Sequence, residues 1–198
     1  MVILVVGGWV AVAIVAGESH ASAVAVGANV VFSVLTVAAL VFRRQVVRLE
    51  RLACRDELTG AYNYRYLREQ LAREIARSGR RGTPLALLMV DLRDFKGYND
   101  RYGHLAGNRA LAGVVRIIYS EVRSGDTVAR FGGDEFAVIL PDVSEKSAWQ
   151  VGDRLAGRLA ASFEGLAADV GVAGYAGGTA DDLLHAADLA MYIRKREG

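Results

Sequence analysis

The chain has 198 residues, with 24 Lys and Arg against 22 Asp and Glu and a formal net charge of +2 at pH 7. That length holds one ordinary domain plus an appendage, and so weak a net charge argues against a nucleic-acid polymer as partner. The single cysteine, Cys54, excludes an intrachain disulfide and with it a disulfide-stapled secreted fold.

Charge is spread unevenly. Residues 1–42 contain one formally charged side chain, Glu18, and no Lys or Arg. Two apolar runs, at about 1–17 and 21–42, flank the polar turn Glu18, Ser19 and His20. At ~1.5 Å per residue the second run reaches ~33 Å, enough for a hydrocarbon core of ~30 Å, and the first is at the lower limit. Arg43, Arg44, Arg48 and Arg51 follow directly, so the positive-inside rule puts the rest of the chain in the cytoplasm. The expectation is a two-span hairpin in contact with membrane lipid, with one span or a signal peptide as alternatives and His20 as a loop residue. After Phe42, Val46, Leu49 and Ala53 recur at four, three and four, which predicts a short coiled coil over 43–57 or, equally, a juxtamembrane helix with no partner.

The soluble part begins with Asn63, which can cap a helix carrying Leu67, Leu71 and Ile75, ended by the glycines at 79 and 82. Residues 85–90 are wholly apolar and stop at Asp91, which reads as a buried central strand with an acidic end. A helix over 107–122 follows. Two strand-like runs within 127–140 flank Gly132 and Gly133, a hairpin signal because a two-residue turn favours positive φ at both central positions. Residues 144–162 predict a helix, 170–175 a strand and 181–195 a closing helix. Alternating helices and strands with one antiparallel hairpin predict a single α/β (α+β) sandwich around a mixed or antiparallel sheet.

Asp91 closes one strand, and Asp134 and Glu135 follow the glycine turn. Carboxylates at two such ends suit Mg²⁺, which needs few protein ligands beside substrate phosphates. Taken singly, each acid is more often a solvated loop residue.

The run Arg130-Phe-Gly-Gly-Asp-Glu-Phe136 resembles the signature of GGDEF-family diguanylate cyclases, and further blocks resemble the family in the same order. These are Asp56-Glu-Leu-Thr-Gly60, Asn63-Tyr-Arg65, Asp91-Leu-Arg-Asp-Phe-Lys96 with Asn99 and His104, and Ala187-Asp188 with Met191, Tyr192 and Lys195. The resemblance implies a nucleotidyl-cyclase-like domain over 58–198 that condenses two GTP into cyclic di-GMP; with the two apolar runs ahead of it, the expectation is a multi-pass protein of a bacterial inner membrane. It implies a two-metal site, Mg²⁺ or Mn²⁺, on Asp91, the carbonyl of Leu92 and Asp134, with Asp134 and Glu135 as the catalytic acids. Phe95, Lys96 and Lys195 would then hold the triphosphate, Asn99, His104 and Asn108 the nucleoside, and Gly132 and Gly133 would leave the hairpin open to the nucleotide. The product has two equivalent linkages, so a homodimer is implied, which favours the coiled-coil alternative. Arg123 and Asp126, with five residues between Asp126 and Gly132, resemble the family's inhibitory site for the cyclic product; an ordinary surface ion pair is the bland alternative.

Arg93 stands where the family usually has Asp, placed either to compete with a cation for Asp91 or to neutralise the triphosphate. Asn108 stands where the family has an Asp that reads guanine. An amide offers one acceptor and one donor, a match to adenine's edge, whereas an ionised Asp only accepts. Two alternatives therefore stand beside the active cyclase: a relaxed enzyme making mixed cyclic dinucleotides, and a degenerate domain that only binds cyclic di-GMP.

Overall fold

The computed structural model describes residues 20–197, which divide into two compact units after Ala53. The predicted span at 1–17 lies outside the described residues. In the first unit helix α1 (His20–Cys54) runs unbroken for 35 residues. His20, expected in a turn, opens it, and the helix ends at Cys54, short of the predicted 57. Within it Gly27–Gln45 is long and apolar enough to cross a membrane, by length and composition, and none of it is buried. Phe32, Leu35 and Phe42 stand exposed. Ser33 and Thr36 turn their hydroxyls onto the carbonyls of Asn29 and Phe32 at 2.8 Å, so these polar groups are satisfied inside the helix.

The second unit is built on β1 (Leu85–Arg93), β2 (Thr127–Gly132), β3 (Glu135–Pro141) and β4 (Ala167–Gly174), ordered β2-β3-β1-β4. All three ladders are antiparallel, and one isolated parallel bridge joins Tyr62 to Ala129. The helices are α2 (Tyr64–Arg81), α3 (Phe95–Tyr102), α4 (His104–Glu121), α5 (Glu145–Ser162) and α6 (Ala180–Glu197). This is the expected α+β sandwich.

Strand β1 is central because its apolar residues serve both faces. Ala86, Leu88, Val90 and Leu92 pack with Val114 and Ile118 of α4 and Leu155 of α5. Leu85, Leu87 and Met89 pack with Leu67 and Leu71 of α2 and Ala187 and Met191 of α6. Each fully buried Leu contributes ~1.5–3 kcal/mol, so the two stripes fix strand register and keep α6 on the odd-numbered face.

Local signals set the element ends. Asn63 caps α2, its Oδ1 accepting from the Tyr66 amide at 3.0 Å, and Gly82 ends that helix at φ +66°. Strand β1 runs on past the predicted stop to Arg93, since β4 pairs with it as far as Ala167. Helix α3 is absent from the sequence reading; Asp94, at φ +50°, starts it by accepting from the Gly97 amide at 3.1 Å. The hairpin turn also differs from expectation. Gly132 pairs with Glu135 and closes β2, so the turn residues are Gly133 and Asp134, and of these only Gly133 has positive φ, +42°.

Candidate functional site

Strand register lines up three carboxylates. Asp91 on β1 lies opposite Glu135 on β3 and opposite Asp169 on β4. Directly paired residues in antiparallel strands share a face, here the one α6 covers. From the last turn of α6, Lys195 Nζ donates to Asp91 Oδ2 at 2.6 Å, and the Asp91 side chain is 16% exposed.

The electrostatics follow from this crowding. Burial, then the charges of Asp91, Asp134 and Asp188, push the Glu135 carboxyl above its ordinary range, against a smaller opposing pull from Lys195. The hydrogen bond to Asp91 holds the Lys195 ammonium above its ordinary value, helped by the charges of Asp91, Asp169 and Asp134. Carboxylates outnumber the ammonium, and such an excess favours a further cation.

Among the described residues no three His, Cys, Asp or Glu side chains close into a ready-made metal cage. The Leu92 side chain is buried on the opposite face, which leaves its carbonyl as its only donor on offer.

The hairpin that carries Asp134 is held from behind. Arg130 Nε and Nη2 donate to the Gly133 carbonyl at 2.8 and 2.6 Å, and Nη1 donates to both oxygens of Asp56 at 3.1 Å. Asp56 also accepts from the Thr59 amide and hydroxyl at 2.9 and 2.6 Å. Burial would raise the Asp56 carboxyl, but Thr59 and Arg130 outweigh it and hold it below the ordinary 3.8. A depressed carboxyl stabilises the fold above 3.8 and loses that contribution as pH falls through its lower folded value. Arg130→Ala is expected to cost ~1–3 kcal/mol at neutral pH. The wild type should then lose more of its unfolding midpoint than the variant when both are acidified below 3.8.

The predicted nucleoside residues cluster on α3 and α4. His104 and Asn108 are exposed one turn apart on the same face of α4, and Asn99 meets that helix at Gly107. A Cβ on Gly107 would overlap Asn99 Oδ1. Gly107→Ala is therefore expected to displace the Asn99 amide and, on the nucleoside-binding role that the resemblance implies for it, to raise the KM for the nucleotide about tenfold, the worth of one lost hydrogen bond, with kcat less affected. Steady-state kinetics check this. Lys96 is exposed on the first turn of α3, and Phe95 packs partly on the core with Tyr98.

Arg123 and Asp126 sit in the turn before β2, at the opposite end of that strand from the hairpin, roughly 20 Å away at ~3.3 Å per residue. Asp126 Oδ2 accepts from the Arg123 amide at 2.7 Å, and the Arg123 side chain is exposed. Burial holds the Asp126 carboxyl above its ordinary range, against the amide and charge of Arg123. Sequence reasoning assigned no role to Asp169, which it left ahead of the predicted strand at 170–175, or to the Asp56–Arg130 pair.

Residues 53–198 match a family model described as diguanylate cyclase, GGDEF domain. The chain belongs to the GGDEF family. Its motif, Gly132 to Phe136, forms the hairpin beside Asp91. "Diguanylate cyclase DosC" of Escherichia coli (strain K12) is 39% identical over 152 residues, covering 72% of this chain and 33% of the relative. "Bifunctional diguanylate cyclase/cyclic di-GMP phosphodiesterase MucR" of Pseudomonas aeruginosa is 32% identical over 203 residues, 96% of this chain and 30% of the relative. The chain thus spans about a third of the length of these GGDEF relatives. Among solved structures, the coiled coil and GGDEF domain of DgcB from Caulobacter crescentus in complex with c-di-GMP has a TM-score of 0.78 at 25% identity, covering 87% of this chain and 95% of that one. A sensory box/GGDEF family protein from Caulobacter crescentus has a TM-score of 0.67 at 37% identity, covering 73% and 99%.

Proposed function

We propose that this chain is a diguanylate cyclase, condensing two GTP into cyclic di-GMP with release of two pyrophosphates. The observation that carries the reading is the Asp91–Glu135 register beside the GGDEF hairpin, with the Lys195 ammonium on Asp91. Asp91, the Leu92 carbonyl and Asp134 would hold divalent cations, Mg²⁺ or Mn²⁺, which when bound neutralise the charge that develops at the α-phosphate. Lys96 and Lys195 grip the triphosphate, a role for Lys195 that its hydrogen bond to Asp91 supports. Asn99, His104 and Asn108 orient the nucleoside. Asp134 takes the 3′-hydroxyl proton, with Glu135 beside it as the second catalytic acid.

Two domains meet face to face to close the two linkages, brought together by the end of α1 after Phe42, up to Cys54, as a coiled coil. Arg123 and Asp126 bind the product and restrain the enzyme; bound c-di-GMP in the DgcB structures supports a product site in this fold. The chain sits at the inner membrane with the catalytic domain in the cytoplasm, as the exposed apolar stretch of α1 and the four arginines after Phe42 support.

Asn108 favours a second reading, looser purine choice, because its amide is exposed beside His104. The test is mass spectrometry of products from the full chain in detergent, supplied with equal GTP and ATP. Cyclic di-GMP is the expected main product, and mixed product above that of Asn108→Asp marks loosened selectivity. Binding of cyclic di-GMP with no cyclic dinucleotide formed overturns the cyclase reading and leaves a receptor.

A further inference from the structure

Arg93 stands two residues beyond Asp91 on β1, so both side chains leave the same face of the strand. A guanidinium at that spacing threatens the carboxylate that a cation would need. It goes elsewhere. Arg93 Nε donates to Asp169 Oδ1 at 2.7 Å, and Nη2 meets the same oxygen. Asp169 is paired with Asp91 and Arg93 with Ala167, so the contact is a cross-strand diagonal that a long side chain can span.

The two acidic neighbours differ in what losing their cation would entail. The Asp169 side chain is 1% exposed, and its Oδ2 is buried without a hydrogen-bond partner. Departure of Arg93 would strand a buried carboxylate with both oxygens unpaired, which a protein interior penalises heavily. Asp91 instead holds Lys195, whose side chain is 50% exposed on a flexible stem and free to swing to a phosphate. One cation is locked and the other is exchangeable.

We propose that Asp169 is a positioning residue that sequesters the Arg93 guanidinium, so that Asp91 exchanges between Lys195 and a divalent cation. This rests on the reading of Asp91 as a cation carboxylate. It also explains how the domain accommodates Arg93 where its family usually has Asp.

The test is Mn²⁺ binding to the full chain in detergent with a non-hydrolysable GTP analogue, read from the electron paramagnetic resonance of free Mn²⁺. Asp169→Asn releases Arg93 onto Asp91 and should weaken Mn²⁺ binding about tenfold or more. The double variant Arg93→Ala with Asp169→Asn should return to within about threefold of wild type, because no guanidinium remains to compete. A purely structural role would lower the thermal midpoint of both variants and leave no rescue of Mn²⁺ binding. Wild-type affinity in Asp169→Asn, or a double variant as weak as the single, overturns the proposal. A second measurement needs no variant: in nitrogen-15-labelled wild type, Mg²⁺ with the same analogue should move the Lys195 Nζ resonance and leave Arg93 Nε in place, and the reverse overturns the proposal. Failure of the wild type to bind Mn²⁺ at all would remove the cation reading itself, a distinguishable result.

Discussion

Asp134→Ala is expected to abolish cyclic di-GMP synthesis, with turnover down by at least a hundred- to thousand-fold, while the domain stays folded. Removing one preorganised group that acts on developing charge costs this much in other enzymes. The fold is spared because Asp134 lies at a half-buried turn outside both hydrophobic clusters of the core. Its removal also takes away one of the charges that raise Glu135. The Glu135 carboxyl should therefore titrate lower in the variant, and the stability of the domain should stay within about 0.5 kcal/mol of wild type. Mass spectrometry of the products and carbon-13 titration of Glu135 check both halves, and turnover at wild-type rate would mean that the catalytic acid is elsewhere.

Gly171→Ala should have the largest effect on stability. Gly171 lies on β4 beneath α6, and a Cβ there would overlap the Ala187 carbonyl, the Met191 amide nitrogen and Met191 Cβ. These are mostly backbone atoms that cannot rotate aside, so the helix must lift from the sheet. Overpacking of this kind costs ~1–3 kcal/mol, or several degrees of thermal midpoint in a domain of this size. Function should fall with it, because the same helix delivers Lys195 and Asp188 to the acidic row. Gly157→Ala is the control: nothing lies within 4 Å of its Cβ position in α5, and it should stabilise that helix by up to ~1 kcal/mol. Thermal unfolding of both variants, with turnover measured below the midpoint, makes the comparison.

Much of this architecture was legible in the sequence where a local rule applied. The apolar run at 85–90 could only be a strand buried on both faces, and Asn63 and Gly82 carry cap chemistry that needs no tertiary context. Helix α3 escaped because its polar residues show no apolar stripe; it is held by the Asp94 cap and by packing on α4. The hairpin shifted by one residue because a bulge between Arg130 and Gly132 changes the pairing, and such irregularity has no periodic signature. The acids of the site were visible one by one, but their row is a property of strand register. Arg93 shows the limit most plainly. Its neighbour Asp91 is two residues away in sequence, yet its partner Asp169 lies 76 residues on, where only the pairing of β1 with β4 brings it near.

The most direct test is to supply the purified full chain, in detergent, with GTP and Mg²⁺ and to count both products. Two pyrophosphates are expected for each cyclic di-GMP, none without a divalent cation, and none from Asp91→Asn. Pyrophosphate release that persists in Asp91→Asn, or its absence from a folded wild type that still binds GTP, would contradict that expectation.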